Sequence, residues 1–409
     1  MRSSSGNPTF LDALKAGFTM KRLSLRLLCF GLFLGLACHT VFSQDPGNPQ
    51  DSGESRTETV VQKRQQAIER GLKYLATQGQ ATDGTFTAKA GSGITSLAIT
   101  AALRNGRSVD DPMVAKGLKA IEGFVKPDGG IYGGGRLKNY ETCVAMVCLA
   151  EANQDGRYTA TLERARKFVT ELQYGFSDGR AESDPWYGGS SYSGTGRPDL
   201  SNTGYMVDAL QAMDVGPNDP AIQRALAFIS RCQNLDTKHN DTEFAGLIND
   251  GGFYYEIPSE KVDPSTSPER FTPNGGLRSY GSMTYAGLKS MVYAGLTEND
   301  PRVKAAVDWI NAHYSVTENP GMGSAGLYYY YHLFGASLNA AKLPHVTSPN
   351  GTKHDWRNDL IEELASSQQR DGSWSNENNR WFEDDKNLST SFALLALSYC
   401  KPNVAQPSK

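Results

Sequence analysis

The chain has 409 residues, 39% of them hydrophobic, and a formal net charge of −3 at pH 7. This length can bury a large core, and the nearly balanced charge argues against a general nucleic-acid-binding surface. Its 42 glycines predict many sharp turns, and its 19 tyrosines and 16 phenylalanines predict a thick core or a lined cavity.

Residues 1–43 are predicted to be an N-terminal extension and a signal peptide. A basic pair precedes an apolar run over residues 23–37, and small residues ahead of Gln44 form a cleavage site. A run of about 15 apolar residues is short for a helix that crosses ~30 Å of hydrocarbon. We therefore expect export to the periplasm or the extracellular space, with no integral membrane span in the mature protein. Translation begins at either Met1 or Met20.

Polar segments flank the rest of the chain. Residues 44–59 contain prolines and glycines among almost wholly polar neighbours, and residues 401–409 are similar. Such segments cannot bury enough apolar surface to order themselves, so we predict a disordered linker at 44–59 and a tail at 401–409. A repeat domain is predicted over residues 60–400.

Cysteine usage does not predict a disulfide scaffold. Signal cleavage leaves four scattered cysteines in a large domain: Cys143, Cys148, Cys232 and Cys400. The first two are five residues apart on one predicted helix, so we expect small core residues on different faces, with one bridge elsewhere left open. Lipidation of Cys38 is the less favoured alternative to cleavage, because Gly35 stands where an apolar branched residue is usual.

An amphipathic helical motif occurs six times between residues 60 and 400, and this repetition is the most informative pattern in the sequence. Each copy has apolar residues at helical spacing and charged residues on the opposite side, as an outer helix with one solvated face should. The copies are Arg70–Leu75, Lys116–Ile121, Arg164–Val169, Arg224–Ile229, Ala305–Ile310 and Asp359–Leu364.

A glycine turn and a second, more apolar helix follow each copy. Asp-Gly pairs such as Asp83-Gly84 and Asp371-Gly372 supply the positive φ that a tight turn needs. In five repeats the second helix carries a threonine and, seven residues later, an apolar residue. The second helices are Thr95–Ala102, Thr142–Leu149, Thr203–Leu210, Thr284–Met291, Tyr331–Leu338 and Thr390–Leu397.

The second helices have almost no polar face, so the charged helices should cover them from outside. Six such hairpins either stack as an open solenoid or close into a ring. The outer copies are unevenly spaced, which suits a closed ring with loops of different lengths. We therefore predict an all-α fold, an (α/α)6 barrel or toroid of about six helical-hairpin repeats.

Two of the glycine turns carry a family motif. Residues 368–374 fit the Gln-x3-Gly-x-Trp motif of squalene and terpene cyclases, and residues 80–86 fit its Phe variant. With six turns in register, the span of residues 60–400 resembles the prenyltransferase and squalene-cyclase repeat superfamily. This resemblance implies an α/α toroid whose central cavity is lined by aromatic side chains, which in the family hold isoprenoid chains and stabilise carbocations by cation–π attraction.

The sequence supplies aromatic residues for such a lining, although core packing is the alternative role for each of them. Because the four tyrosines at 328–331 cannot share one face of a helix, at least one should point to the lumen and one to the outer layer. The other candidates are Tyr140, Tyr205, Tyr280, Tyr285, Trp381 and Phe392.

The catalytic motifs of the resembled enzymes are incomplete here. Residues 108–111 lack the first aspartate of the Asp-x-Asp-Asp acid motif of class II cyclases, and residues 384–388 lack the last carboxylate of the Mg²⁺-binding motif of class I enzymes. Both acidic pairs stand where helices are predicted to begin, and we interpret them as serving the helix ends. No catalytic residue is assigned, and enzyme status stays open.

Protein prenyltransferases bind zinc through Asp, Cys and His. Tyr331-His332 resembles their histidine, but the Asp-Gly-Cys stretch falls on Tyr280-Gly281-Ser282, so two of the three ligands are missing. We predict no tightly bound zinc and no other cofactor.

Polar and aromatic residues recur at the mouths of the second helices, and ring closure would bring them together at one rim. Capping is the favoured role for Asp199, Ser201 and the recurrent threonines, whereas Glu141 and Tyr280 are less easily explained as caps. The predicted ligand-binding residues are Tyr140, Glu141, Asn202, Tyr205, Tyr280, Tyr330, Tyr331 and His332.

The sequence thus predicts an exported repeat protein whose aromatic-lined cavity binds or transforms an isoprenoid-like or other small apolar ligand. One alternative is a non-catalytic barrel that binds a lipid or a protein partner of unknown identity. Another is a polysaccharide lyase-like enzyme. An apolar aromatic lumen favours the first function, a filled lumen the second, and an open cleft rimmed by Arg and Tyr the third.

Overall fold

A computed structural model describes residues 49–258 and 263–401, with side chains from Thr59 onward. The predicted signal peptide and almost all of the predicted tail lie outside the described residues. Helix α1 (Pro49–Tyr74) begins inside the segment predicted as a linker, and the domain boundary near residue 60 stays a prediction.

Outer and inner helices alternate along the described chain, and each contains one of the predicted motif copies, except that the last residue of the first copy, Leu75, begins the turn after α1. The outer helices are α1, α3 (Pro112–Glu122), α5 (Thr159–Glu171), α7 (Pro220–Arg231), α10 (Pro301–Ala312) and α12 (Trp356–Ser367). The inner helices are α2 (Gly93–Arg104), α4 (Lys138–Glu151), α6 (Leu200–Gln211), α9 (Gly281–Tyr293), α11 (Leu327–Ala340) and α13 (Lys386–Tyr399).

Short elements fill the loops. A π-helical turn at Leu75–Gly79 extends α1, and α8 (Ala245–Ile248) is a single turn. The 3-10 turns are Ala88–Ala90, Pro264–Thr266 and Arg380–Phe382. Strands β1 (Val346–Thr347) and β2 (Lys353–His354) form an antiparallel pair in which Val346 faces His354.

The inner helices close into a ring. Helix α2 packs against α4, then α4 against α6, α6 against α9, α9 against α11, α11 against α13, and α13 against α2. The last and first outer helices, α12 and α1, pack together, and this contact between the two ends of the repeat domain is the seam of the ring. This arrangement confirms the (α/α)6 barrel and selects it over the open solenoid.

Burial follows the predicted contrast between the two helix sets. Every residue of α13 from Leu388 to Ser398 is buried, whereas α7 buries its apolar face and leaves Gln223 exposed. Among the described cysteines all four are buried and free, as expected for Cys143 and Cys148. No helix in the described part of the chain is both long and apolar enough to cross a membrane.

Aspartates begin several helices. Asp111 accepts hydrogen bonds from the backbone N–H groups of Met113 and Val114 at the start of α3, and Asp385 does the same for Asn387 and Leu388 at the start of α13. The interpretation of both acidic pairs as helix-end features is confirmed, because each carries such a cap.

Five of the six predicted glycine turns approach the next outer helix closely, whereas nothing lies within 4 Å of a Cβ at Gly323 in the fifth. Gly84 has φ +92°, and a Cβ there would lie 2.4 Å from the carbonyl oxygen of Lys116 in α3. Gln80 Nε2 donates to the carbonyl of Gly84 at 3.1 Å and to that of Met113 at 2.9 Å. Only glycine permits this approach, which accounts for the spacing of glutamine and glycine in the motif. The same contacts recur at Gln173 and Gly188, Gln233 and Gly251, and Gln368 and Gly372.

The recurrent threonines hold the turns in place. Thr95 Oγ1 accepts a hydrogen bond from the N–H of Phe86 at 2.9 Å, directly after the first glycine turn. The capping role favoured from the sequence is therefore wrong for these residues, since their hydroxyls bind the turn of their own repeat. Equivalent bonds involve Thr142, Thr203, Thr284 and Thr390.

Candidate functional site

The first turns of the six inner helices converge on an aromatic cavity at one end of the barrel. The empty space is ≈ 900 Å³ including its open mouth, and small or apolar residues such as Gly93, Ile94 and Met283 complete the wall. Eight rings line this aromatic cavity: Tyr140, Tyr192, Tyr205, Tyr255, Tyr280, Tyr329, Trp381 and Phe392.

The rings form a connected layer. Tyr205 packs edge-on to Tyr140 with centroids 5.0 Å apart, stacks on Tyr329 at 6.1 Å, and Tyr329 meets Phe392 at 5.6 Å. Ser201 Oγ lies 2.7 Å from the hydroxyl of Tyr329. Burial raises the pKa of Tyr329 and Tyr205 well above the usual tyrosine value, so both hydroxyls stay neutral. The cavity therefore offers neutral π-faces with few polar groups.

Strained backbone lies beside the cavity. Trp381 and Phe382 have φ values of +58° and +65°, which cost on the order of 1–3 kcal/mol each for non-glycine residues. A Cβ on Gly326 would lie 2.9 Å from the Trp381 ring, so glycine is needed for the ring to approach this closely. The Arg380 guanidinium carbon is 4.3 Å from the centroid of the same ring. Packing from both sides thus holds Trp381 in place against the strain.

Glu383 is the carboxylate on the cavity wall. It is 1% exposed, and burial raises its pKa to about 7. Its oxygens accept hydrogen bonds from the N–H of Tyr329 at 2.8 Å, the N–H of Tyr328 at 3.2 Å and Nδ2 of Asn376 at 2.8 Å. Because these donors occupy the carboxylate and Gly326 has no side chain to cap α11, Glu383 serves as the cap of that helix.

Asp199 plays a similar part at α6. It accepts hydrogen bonds from the N–H and the Nδ2 of Asn202, both at 2.8 Å. Burial raises the pKa of Asp199 to about 7. The predicted capping role of Asp199 is confirmed, and the buried Asn202 is its partner and does not line the aromatic cavity.

Three of the eight predicted ligand-binding residues line the aromatic cavity, namely Tyr140, Tyr205 and Tyr280. Glu141 lies behind the wall, where its Oε2 accepts hydrogen bonds from the N–H groups of Ser92 and Gly133, both at 2.8 Å. It ties two loops together and has a structural role.

The tyrosines at 328–331 point in different directions, as the helical period requires. Tyr329 lines the aromatic cavity, whereas the hydroxyls of Tyr330 and Tyr331 donate to the carbonyls of Ser315 and Val316, both at 2.7 Å. Tyr330 and Tyr331 are therefore packed outside the lumen. The expectation that one tyrosine faces the lumen and another the outer layer is confirmed.

His332, the eighth predicted residue, lies in a second cavity further along the lumen. This polar cavity has an empty volume of ≈ 550 Å³, including open solvent, and is lined by later turns of the inner helices. Tyr205 borders both cavities. Within the described residues no three His, Cys, Asp or Glu side chains are grouped so as to hold a metal ion.

Tyr192, Tyr255 and Glu383 were missed from the sequence because they lie on loops, where no helical period points to the lumen. One signal was present. Tyr192 and Tyr255 each stand two residues after the residue whose N–H binds the recurrent threonine, namely Ser190 and Phe253. Corresponding turn positions in two repeats thus deliver tyrosines to the same cavity.

Residues 89–257 match the family model of the squalene-hopene cyclase C-terminal domain. The chain has a squalene-cyclase and prenyltransferase-like fold. The region that matches this cyclase family contains α2, α4 and α6 and carries four of the eight cavity rings, Tyr140, Tyr192, Tyr205 and Tyr255. No curated protein matches the chain in sequence.

Solved structures share the helical architecture at low identity. A D-mannose isomerase is 12% identical, with 82% of this chain and 96% of that chain covered and a TM-score of 0.50. A variant of the type II terpene cyclase MstE from Scytonema, in complex with geranylgeranyl dihydroxybenzoate, is 12% identical over 84% of this chain and 98% of that chain, with a TM-score of 0.49. A glycosidase variant is 11% identical over the same shares, with a TM-score of 0.48. At this identity the likeness concerns the fold alone.

Proposed function

We propose that the protein binds an isoprenoid-like or other apolar ligand in the aromatic cavity. The observation that carries this proposal is the convergence of eight rings, from five of the six repeats, around a space of ≈ 900 Å³ that includes its open mouth. Rings placed only for packing would fill such a space, because protein interiors are close-packed. The matched cyclase family model supports the same class of ligand.

The chemistry of the wall favours an apolar ligand. The tyrosine hydroxyls are neutral, and the Glu383 carboxylate is occupied by N–H donors. No charge on the wall is therefore left for an ionic ligand, whereas π-faces suit a branched, unsaturated chain. Strain at Trp381, kept beside the cavity at an energetic cost, is typical of functional sites.

The hydrogen bonds to Glu383 favour ligand binding over cyclisation. Protonation of an olefin needs an acid whose proton is directed at the ligand, but the donors around Glu383 all point toward its oxygens. We therefore assign the protein a carrier or sensor role for the apolar ligand. Turnover of geranylgeraniol by the purified protein, detected by gas chromatography, would contradict this assignment.

The binding test is a titration of the purified protein with geranylgeraniol, followed by the fluorescence of Trp381 and the other tryptophans. We expect saturable binding that weakens by about 10- to 100-fold in Phe392→Ala, since burial of one large apolar side chain is worth roughly 1.5–3 kcal/mol. Phe334→Ala is the matched control, because Phe334 is equally buried but does not line the aromatic cavity. Absence of saturable binding, or equal loss in both variants, would refute the proposal.

We also propose that the protein acts outside the cytoplasm after removal of residues 1–43. The basic pair, apolar run and small-residue site ahead of Gln44 support this location. Terminal sequencing of the protein recovered from its cells should give Gln44. An intact terminus at Met1 or Met20 would contradict export with cleavage.

A further inference from the structure

The polar cavity has a composition unlike that of a packed core. Lys289 is 3% exposed, and its Nζ lies 2.6 Å from Oδ2 of Asp208. His332 is 7% exposed and stacks on Phe392 with centroids 5.7 Å apart. Other polar residues of the wall are Arg104, Tyr399, Thr100 and Gln211. Burial of a lysine and a histidine, beside an aspartate that is partly buried, is costly unless each is paired.

The pairing is incomplete at two buried atoms. Oδ1 of Asp208 and Nδ1 of His332 have no hydrogen-bond partner in the protein. A buried polar atom without a partner costs roughly 1–3 kcal/mol, so each such atom in a folded protein needs an explanation. Both residues line the same cavity, and a ligand that hydrogen-bonds to them would supply that explanation.

The charges of the wall are already balanced within the protein. Lys289 is paired with Asp208, and Arg104 Nε is 2.7 Å from Oε1 of Glu151. Burial, together with Lys289 and Arg104, holds the pKa of His332 well below its usual value, so the imidazole is neutral. An ion would disturb these pairs, and therefore a neutral ligand suits the cavity better.

The hydrogen-bonding groups of the wall that still lack a partner include both acceptors and donors. Asp208 Oδ1 accepts, the Lys289 ammonium has N–H donors beyond the one used by Asp208, and the imidazole Nδ1 either donates or accepts according to its tautomer. Hydroxyl groups both donate and accept, so adjacent hydroxyls on one small molecule can satisfy all of them. The rings of Tyr293 and Tyr399 add apolar surface for carbon-bound hydrogens.

We propose that the polar cavity is a second ligand site, which binds a neutral polyhydroxylated molecule of the monosaccharide or cyclic polyol class through Asp208, Lys289 and His332. The site differs from the aromatic cavity in its wall and shares only Tyr205 with it. The proposal of a polyol site therefore does not depend on whether the aromatic cavity binds an apolar ligand.

The test is saturation-transfer NMR on the purified full chain with D-glucose, myo-inositol and inorganic phosphate as separate probes. We expect saturable binding of D-glucose or myo-inositol at millimolar concentration and none of phosphate. His332→Leu keeps an apolar side chain against Phe392 and should weaken binding by about tenfold or more. Tyr140→Phe, at the aromatic cavity, is the control and should leave polyol binding unchanged.

A second variant covers the case in which His332→Leu fails to fold. Replacing the ion pair as Asp208→Leu with Lys289→Met exchanges one buried and one partly buried charge for apolar groups of similar size, a change that proteins often tolerate. This double variant should retain the melting transition and lose polyol binding. Saturable phosphate binding, no binding of either polyol, or polyol binding that survives in a folded variant would each overturn the proposal. Geranylgeraniol binding, measured in parallel, reports on the aromatic cavity alone.

Discussion

The seam of the ring offers the sharpest test of how this barrel closes. Gly372, in the last glycine turn, has φ +91°, and a Cβ there would lie 2.5 Å from the carbonyl oxygen of Arg70 in α1. The substitution Gly372→Ala therefore forces either the turn or α1 to move. Because α1 and α12 meet only across this seam, the cost falls on closure of the ring.

Two contributions set the magnitude. An alanine in the left-handed region costs about 1–2 kcal/mol, and an added methyl group without space costs about 1–3 kcal/mol. Gly372→Ala should therefore lower the free energy of unfolding by about 2–5 kcal/mol. Gly351 provides the control, because its φ is +84° but nothing lies within 4 Å of a Cβ there. Gly351→Ala should therefore show only the cost of placing alanine in the left-handed region.

Urea denaturation followed by circular dichroism measures both variants. Hydrogen exchange in α1 should also rise in Gly372→Ala, since a weakened seam allows the first outer helix to open locally. Equal destabilisation by the two substitutions would show that backbone strain alone acts, and that the close approach to Arg70 does not stabilise the ring.

Three further predictions concern single side chains. Gln368→Leu removes the side-chain donor that two carbonyl groups share where α1 and α12 meet, and should cost about 1–3 kcal/mol in urea denaturation. An unchanged midpoint would show that these two hydrogen bonds do not stabilise the fold. Lys289→Met alone leaves the partly buried Asp208 carboxylate without its partner and should cost about 1–3 kcal/mol by thermal unfolding, with recovery in the Asp208→Leu double variant. Burial raises the pKa of Glu383 from 4.5 to about 7, so its contribution to stability is present below the unfolded pKa and is lost as pH rises through 7. Burial also raises the pKa of Asp199 to about 7, so this residue adds to the fall over the same window. The share of Glu383 is up to about 3 kcal/mol between pH 4.5 and 8, and Glu383→Gln should reduce the fall by that amount.

The architecture could be predicted because most repeats carry in their own sequence the turn that joins them to the next repeat. The glycine at Gly84 and Gly372, with its glutamine four residues before, marks a turn that approaches the next outer helix. What the spacing could not show is the partner of each glutamine. Gln368 binds the carbonyl of Ala67, some 300 positions earlier, and this contact exists only once the ring has closed.

The cavity was predictable in part for the same reason. Tyr140 and Tyr280 occupy similar positions at the mouths of two inner helices, so ring closure alone brings them together. Glu141 occupies an equally suggestive position, but its partners are backbone groups at Ser92 and Gly133 on two loops. Because backbone N–H groups occur at almost every residue, the sequence does not indicate which of them Glu141 binds. Whether these rings bind a ligand stays a prediction.

Helix α11 shows why neighbouring residues of one run have different roles. Side chains three positions apart share a face of a helix, and Tyr329 and His332 are such a pair. They lie about 4.5 Å apart along the helix axis, so one faces the aromatic cavity and the other the polar cavity. Spacing determines which residues share a face, but packing of α9 and α13 on either side determines which face turns to the lumen. Tyr205 borders both cavities, and Phe392 of the aromatic cavity stacks on His332 of the polar one, so these two side chains are the physical link between the two ends of the lumen.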